Sequence, residues 1–293
     1  MDTVTIRLKD TELSVDTFGA QLRSFMKGKT QYIWQRDPSI WSGSAPILFP
    51  IIGELKGPGK TTVINDKPYH MPIHGFASTS EFTVPAVSEH SVLMSLEADE
   101  ETKKQYPFDF KLDILFELTG KGFRQTFTLT NNGQCEMPFV IGAHPGFRVP
   151  LFDGDRFEDY TVRFEYPESA PCYRIDEDGL VNDSVTEQVF SKDGTLPMTH
   201  RLFQKGAVLF DSLKSRKVSL LNRKGHGVSM SFAGFDFFGI WQMAETEAEY
   251  VCLEPWTGMN DCYSEDGIYA HKKGIRVLKP SEQSVLSFEV ITL

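Results

Sequence analysis

The chain has 293 residues, 40% of them hydrophobic and 24% charged, with a formal net charge of -10. That size and composition describe a globular protein with ample material for a large core. The acidic balance excludes nucleic acid and anionic membrane as main partners, because both select a basic face, and no run of about 18 apolar residues offers a membrane span.

The opening residues Met1-Asp2-Thr3-Val4-Thr5-Ile6-Arg7 lack a basic head followed by an apolar run. They predict no signal peptide and a cytoplasmic location. Val4, Ile6 and Leu8 alternate as in a strand. Ala45-Pro46-Ile47-Leu48-Phe49-Pro50-Ile51-Ile52 is apolar but bracketed by prolines, which suits a buried loop or an edge segment better than a central strand. Gly57-Pro58-Gly59 breaks the chain after it. Asp99 to Gln105 reads as a short charged turn of helix, almost the only helical signal.

From there strands dominate. Phe108, Phe110, Leu112, Ile114, Phe116 and Leu118 alternate with largely charged residues, the period-two signature of a half-buried strand. Tyr160 to Tyr166, Val228 to Phe232 and Leu286 to Val290 repeat the pattern. Asn131-Asn132-Gly133, Asp153-Gly154-Asp155, Asp178-Gly179 and Lys224-Gly225-His226-Gly227 supply turns. The 23 phenylalanines fit a core between sheets. No linker or fixed-period repeat divides the chain, so residues 1–293 are expected to form one all-β domain, a large antiparallel β-sandwich. The four cysteines, Cys135, Cys172, Cys252 and Cys262, show no C-x-x-C spacing and are expected to be reduced thiols.

Three segments carry candidate chemistry. Met71-Pro72-Ile73-His74-Gly75-Phe76 and Ile141-Gly142-Ala143-His144-Pro145-Gly146-Phe147 each set a histidine on a bending backbone with little bulk around it. Cys252-Leu253-Glu254-Pro255-Trp256 sets a carboxylate after an apolar strand-like run, where burial is costly unless the group is paired or used. Two imidazoles and a carboxylate suffice for general acid–base work on a neutral substrate. A lone histidine in such a place is otherwise a core or turn residue bonded to a backbone carbonyl, and Glu254 otherwise a salt-bridge partner. Trp256 and Trp41 fit either a sugar platform or core. His70, His90, His200, His226 and His271 lie among polar neighbours and are expected at the surface. There is no G-x-S-x-G elbow, Walker loop, dinucleotide fingerprint, or H-x-H or H-E-x-x-H metal spacing.

Taken together and in this order, the segments around His74, His144 and Glu254 resemble the active-site segments of the aldose 1-epimerase, or mutarotase, family. Tyr32-Ile33-Trp34-Gln35, Ala45 to Pro50 and Phe210-Asp211-Ser212-Leu213-Lys214-Ser215 are similar to its LacX-like branch, so the resemblance runs nearly end to end. It implies a supersandwich of the galactose mutarotase type and interconversion of the α and β anomers of a hexose or hexose phosphate. It implies Glu254 as general base at the anomeric hydroxyl, His144 as general acid at the ring oxygen, and His74 as an assisting sugar contact. It implies no cofactor and no metal, and a small-molecule aldose as partner; the oligomeric state is left open. Glu54, in Ile51-Ile52-Gly53-Glu54-Leu55-Lys56, stands where relatives carry an arginine that contacts sugar hydroxyls, which makes Lys56 the candidate replacement. The family's acidic sugar contact before the Phe210 run has no counterpart in Phe203-Gln204-Lys205-Gly206-Ala207.

Two readings compete. A cupin-type metal enzyme also uses two histidines and a carboxylate in an all-β fold. A sugar-binding protein without turnover would likewise explain the missing arginine.

Overall fold

A computed structural model describes residues 2–293, nearly all of them in strands, turns and loops. Among the described residues the one α-helix is Glu100–Lys103, N-capped by Asp99, whose side chain accepts from the Thr102 N–H. The strands of the main sheets pair antiparallel. A nine-stranded sheet runs from Thr195–Pro197 at one edge to Thr83–Val87 at the other, with Gln283–Thr292 and Gly122–Asn131 at its middle. The alternating run near residue 110 is its strand Phe110–Leu118, in which Phe110, Leu112, Ile114, Phe116 and Leu118 are all buried. Alternation reads so cleanly there because one face meets the core and the other meets water.

A second, six-stranded sheet packs onto this one. Its order is Val208–Phe210, Phe237–Trp241, Tyr250–Trp256, Gly142–Ala143 and Ile47–Leu48, with Gly146–Arg148 also paired to Tyr250–Trp256. Edge-to-face rings tie the two layers: Phe49 on Phe110 at 5.1 Å and Phe164 on Phe238 at 5.9 Å. Ile47–Leu48 is a buried edge strand, as its bracketing prolines require. A four-stranded sheet, Thr3–Leu8 to Thr30–Gln31, flanks the sandwich.

Period two also decides where chemistry sits. In Tyr250–Trp256, Val251 and Leu253 point into the sandwich core. Cys252, Glu254 and Trp256 therefore point the other way. The outer face of the six-stranded sheet is where the candidate site lies.

Candidate active site

Register alone brings His144 to Glu254. Gly142 lies opposite Trp256, and Gly146 opposite Cys252. His144, midway between them, falls opposite Glu254 on the same face, the closest cross-strand relation a sheet offers. The ladder is broken at this point. Leu253 N–H donates to Pro145 O and Thr257 N–H to Ile141 O. Pro255, between them, has no N–H to donate. The facing chain splits into Gly142–Ala143 and Gly146–Arg148, with His144 in the gap. Glu254 is thus inside a strand that continues through Pro255 to Trp256, and not at a strand end as its following proline suggests.

The glycines beside these groups make room for indoles. A Cβ on Gly142 would lie 2.5 Å from Trp256 Cδ1, and one on Gly239, the residue opposite Glu254, 2.8 Å from Trp256 Cη2. A Cβ on Gly146 would lie 2.7 Å from Trp41 Cζ3. Trp256 and Trp41 therefore lie across the sheet on bare backbone on either side of the pair. Trp41 and Trp241 each pack on the His144 ring at 5.3 Å between centroids.

His74 arrives from a loop. Its backbone is in the left-handed region, at φ 65, held by its own N–H to Gly53 O and by Phe49 N–H to its carbonyl. Gly75 follows at φ 77, where a Cβ would fall 2.2 Å from Phe49 O. The Gly53 N–H donates to His74 Nδ1 at 3.0 Å. Nδ1 is therefore the acceptor, and the neutral ring carries its proton on Nε2. The His74 and His144 rings meet at 5.7 Å, nearly edge to face.

The electrostatics follow from burial. Glu254 is 1% exposed and His144 7%. His144 Nε2 approaches Glu254 Oε2 at 3.1 Å. Desolvation raises the Glu254 carboxyl well above its ordinary range. Desolvation, and then the neighbouring His74, push His144 well below 6.5, against a smaller opposing backbone hydrogen bond. Burial takes His74 down to about 4. Each member of the pair resists ionising alone, so around neutral pH the two hold one proton between them. Such a pair can accept a proton on one side and release one on the other with no change in net charge.

Trp41, Trp241, Trp256, His74, His144 and Glu254 all line one hollow of about 340 Å³. Pro46, Ile73, Ile175, Gly179, Ala207, Met243 and Asn260 complete its lining. That volume suits a small ligand such as a single sugar ring. The structure thus gathers the three expected groups and both tryptophans. It also adds Trp241 and Asn260, which no local pattern marks; the glycines alternating around His144 are the signal for flat aromatic neighbours.

Lys56 is a correction. Its ammonium turns away from the hollow to the carbonyls of Tyr263 at 2.5 Å and Glu265 at 2.6 Å. Glu54, at the expected arginine's place, packs under Gly179 and lies 3.9 Å from Lys60. It braces the rim, with the Lys60 ammonium as its ion-pair partner. His200 is also not a plain surface residue: it is half-buried, 2.9 Å from Gln242 Oε1 and stacked on Phe157 at 4.2 Å. His70, His90, His226 and His271 are exposed. Among the described residues, the one cluster of three potential metal ligands is His144, Cys252 and Glu254, within 4.8 Å of one another. His74 is outside it, so the two-histidine, one-carboxylate set of a cupin is not assembled.

The sequence model of the family described as Aldose 1-epimerase matches residues 2–276. The chain is 34% identical to the chromosomal Protein LacX of Lactococcus lactis subsp. lactis over 299 residues, covering 99% of this chain and 100% of that protein. Among solved structures it is similar to the galactose mutarotase related enzyme from Lactobacillus acidophilus, with a TM-score of 0.94, 28% identity, and coverage of 100% of this chain and 97% of that one. A galactose mutarotase-like protein from Lactobacillus casei matches with a TM-score of 0.92 and 28% identity over 100% of both chains.

Proposed function

From the premise that the chain belongs to the aldose 1-epimerase family, we propose that it is an aldose mutarotase whose proton carriers are Glu254, His144 and His74. Membership supports a sugar isomerase in general terms, and the residue roles rest on chemistry. Opening a pyranose removes a proton from the anomeric hydroxyl and delivers one to the ring oxygen. Both oxygens are bonded to C1. Groups on opposite sides of that carbon are one solution, but Glu254 and His144 are cross-strand neighbours 3.1 Å apart, so they engage both oxygens from one side. Glu254 takes the O1 proton, His144 supplies the ring-oxygen proton, and the open aldehyde turns about C1–C2. Reclosure on the other face exchanges the two roles. His74, with its proton on Nε2, donates a hydrogen bond near the ring oxygen, and Trp256 serves as an apolar floor for the ring.

The single observation carrying this reading is the buried His144–Glu254 pair, 3.1 Å apart, in the wall of a sugar-sized hollow. Positioned acid–base groups of this kind supply about 10²–10⁴-fold, enough for a reaction that already proceeds unaided and needs no cofactor. One continuous core with members from Ile6 to Val290 supports reading the whole chain as one domain. Four free cysteines support a reducing compartment such as the cytoplasm, and no helix is long and apolar enough to cross a membrane among the described residues. Polarimetry of freshly dissolved α-glucose and α-galactose is the test: optical rotation should relax faster in proportion to protein. A rate equal to buffer across a panel of aldoses and aldose phosphates ends the proposal.

A further inference from the structure

The geometry points to Arg36 and Asp16 as positioning residues for the reaction: their ion pair, outside the hollow, clips the base of the loop that holds Trp41 against His144. This rests on the mutarotase reading of the site, since it concerns how one of its proton carriers is kept in place and out of water.

Trp41 belongs to the segment between Thr30–Gln31 and Ile47–Leu48 and to neither strand. Its ring nevertheless packs on three parts of the site. It lies 5.3 Å from the His144 ring, 5.3 Å from Trp241, and is stacked on Tyr250 at 5.1 Å. Inside the loop, Trp41 N–H donates to Asp37 O at 2.7 Å, and a Cβ on Gly43 would lie 2.8 Å from Trp41 Cε2. These contacts shape the turn without fixing where its base lies on the sheets.

The two ends of the loop do that. Arg36 Nε donates to Ser44 Oγ at 3.0 Å, and Nη1 donates to Asp16 Oδ2 at 2.6 Å. One planar guanidinium thus joins residues 36 and 44 and ties both to the end of strand Thr11–Asp16. Ser44 Oγ passes its own proton to Leu22 O at 2.7 Å. Ser44 O accepts from the Gly146 N–H at 2.8 Å, two residues past His144. The clip therefore sets the Trp41 loop and the His144 segment against one frame.

It does so at a cost in stability. Asp16 is 1% exposed, and the Arg36 side chain 16%. The Arg36 backbone is left-handed, at φ 61, and its Nη2 is buried without a partner. A buried ion pair, an unfavourable φ and an orphan donor hold a sheet together less well than an apolar contact would. The placement they enforce accounts for them. No residue of the four-stranded sheet lines the hollow, so this pair is how that sheet bears on the chemistry. With the loop released, water reaches the His144 ring, and the burial that holds it well below 6.5 is relieved.

The test takes Arg36→Met, which keeps the stem and removes the fork. It is compared with Trp41→Ala and with Arg7→Met, which breaks an exposed pair of the same sheet. The readouts are mutarotation rate, NMR titration of the His144 ring and thermal melting. Arg36→Met should lower kcat/KM about 10–100-fold and move the His144 titration up toward 6.5, as Trp41→Ala does. Arg36→Lys and Asp16→Asn each keep part of the contact and should fall between Arg36→Met and the wild type. Arg7→Met should match the wild type. Glu254, His74 and Cys252, the titratable groups facing His144, are the same in every variant, so a shift shared by the Arg36 and Trp41 variants reports the loop. A lower melting temperature with an unmoved His144 titration would make the pair a plain structural tie and overturn the proposal. An equal shift in Arg7→Met would do the same. If the wild type turns over no sugar, the mutarotase reading falls, and the titration still decides whether the pair holds Trp41 on His144. Should Arg36→Met fail to fold, Arg36→Lys and Asp16→Asn carry the comparison with the same two outcomes.

Discussion

Glu254→Gln separates what the carboxylate does for chemistry from what it does for folding. The substitution keeps the volume and removes the ability to take a proton from O1. Mutarotase activity should fall by about 10²–10⁴-fold, the usual contribution of a positioned acid–base group. Stability should move the other way. The folded-state value of Glu254 is raised well above 4.5 by burial, so its ionisation opposes folding: the contribution is favourable below the unfolded value and is lost as pH rises through the folded one. No lysine or arginine pairs with it to offset this; its close polar neighbour is the neutral His144 ring, 3.1 Å from Oε2. Glutamine carries no charge to desolvate. The variant should therefore match or exceed the wild type at pH 7, by about 1–3 kcal/mol, with the advantage vanishing near pH 4. Polarimetry gives the rate, and thermal melts at the two pH values give the stability. Retained activity within a few-fold would refute the role of Glu254 as base. A large loss of stability at pH 7 would show that the carboxylate is a structural anchor.

Two further outcomes follow from the same geometry. The pair gives up its shared proton only above the raised value of Glu254 and gains a second only below the lowered value of His144, while His74 becomes charged at about 4. The pH profile of kcat/KM, corrected for the buffer reaction, should be level through neutrality with its acid limb near 4; a limb at an ordinary histidine value of 6.5 would contradict the buried one-proton pair. Gly142→Ala should lift Trp256 off the sheet, because the new methyl would sit 2.5 Å from Cδ1. We expect a cost of about 1–3 kcal/mol and altered tryptophan emission, and unchanged emission and melting would show that the indole has room to spare.

Much of the fold is readable from alternation. The Phe110–Leu118 run faces core on one side and water on the other, so its pattern survives without any knowledge of its partners. The six-stranded sheet is harder to read, since Tyr250–Trp256 is buried along its whole length and shows no polar face. Glu254 reads as following a strand-like run, yet the strand continues through Pro255 because the missing N–H coincides with the gap around His144. The site residues His74, His144 and Glu254 stand out through the small or proline neighbours that each requires. Their convergence does not, because it depends on a register between segments 110 residues apart in number, 144 against 254. Trp241 and Asn260 come from that same long-range pairing and from a loop fixed by Gly53 and Lys272. Lys56 was misjudged because sequence position near a site says nothing of direction: a flexible ammonium reaches the nearest free carbonyls, here those of Tyr263 and Glu265.

The most direct measurement is exchange NMR on an equilibrated hexose, following magnetisation from the α to the β anomeric proton. Added protein should increase the exchange rate in linear proportion to its concentration at unchanged anomer ratio. Exchange no faster than in buffer, for any aldose that binds in the hollow, would contradict acid–base ring opening by Glu254 and His144.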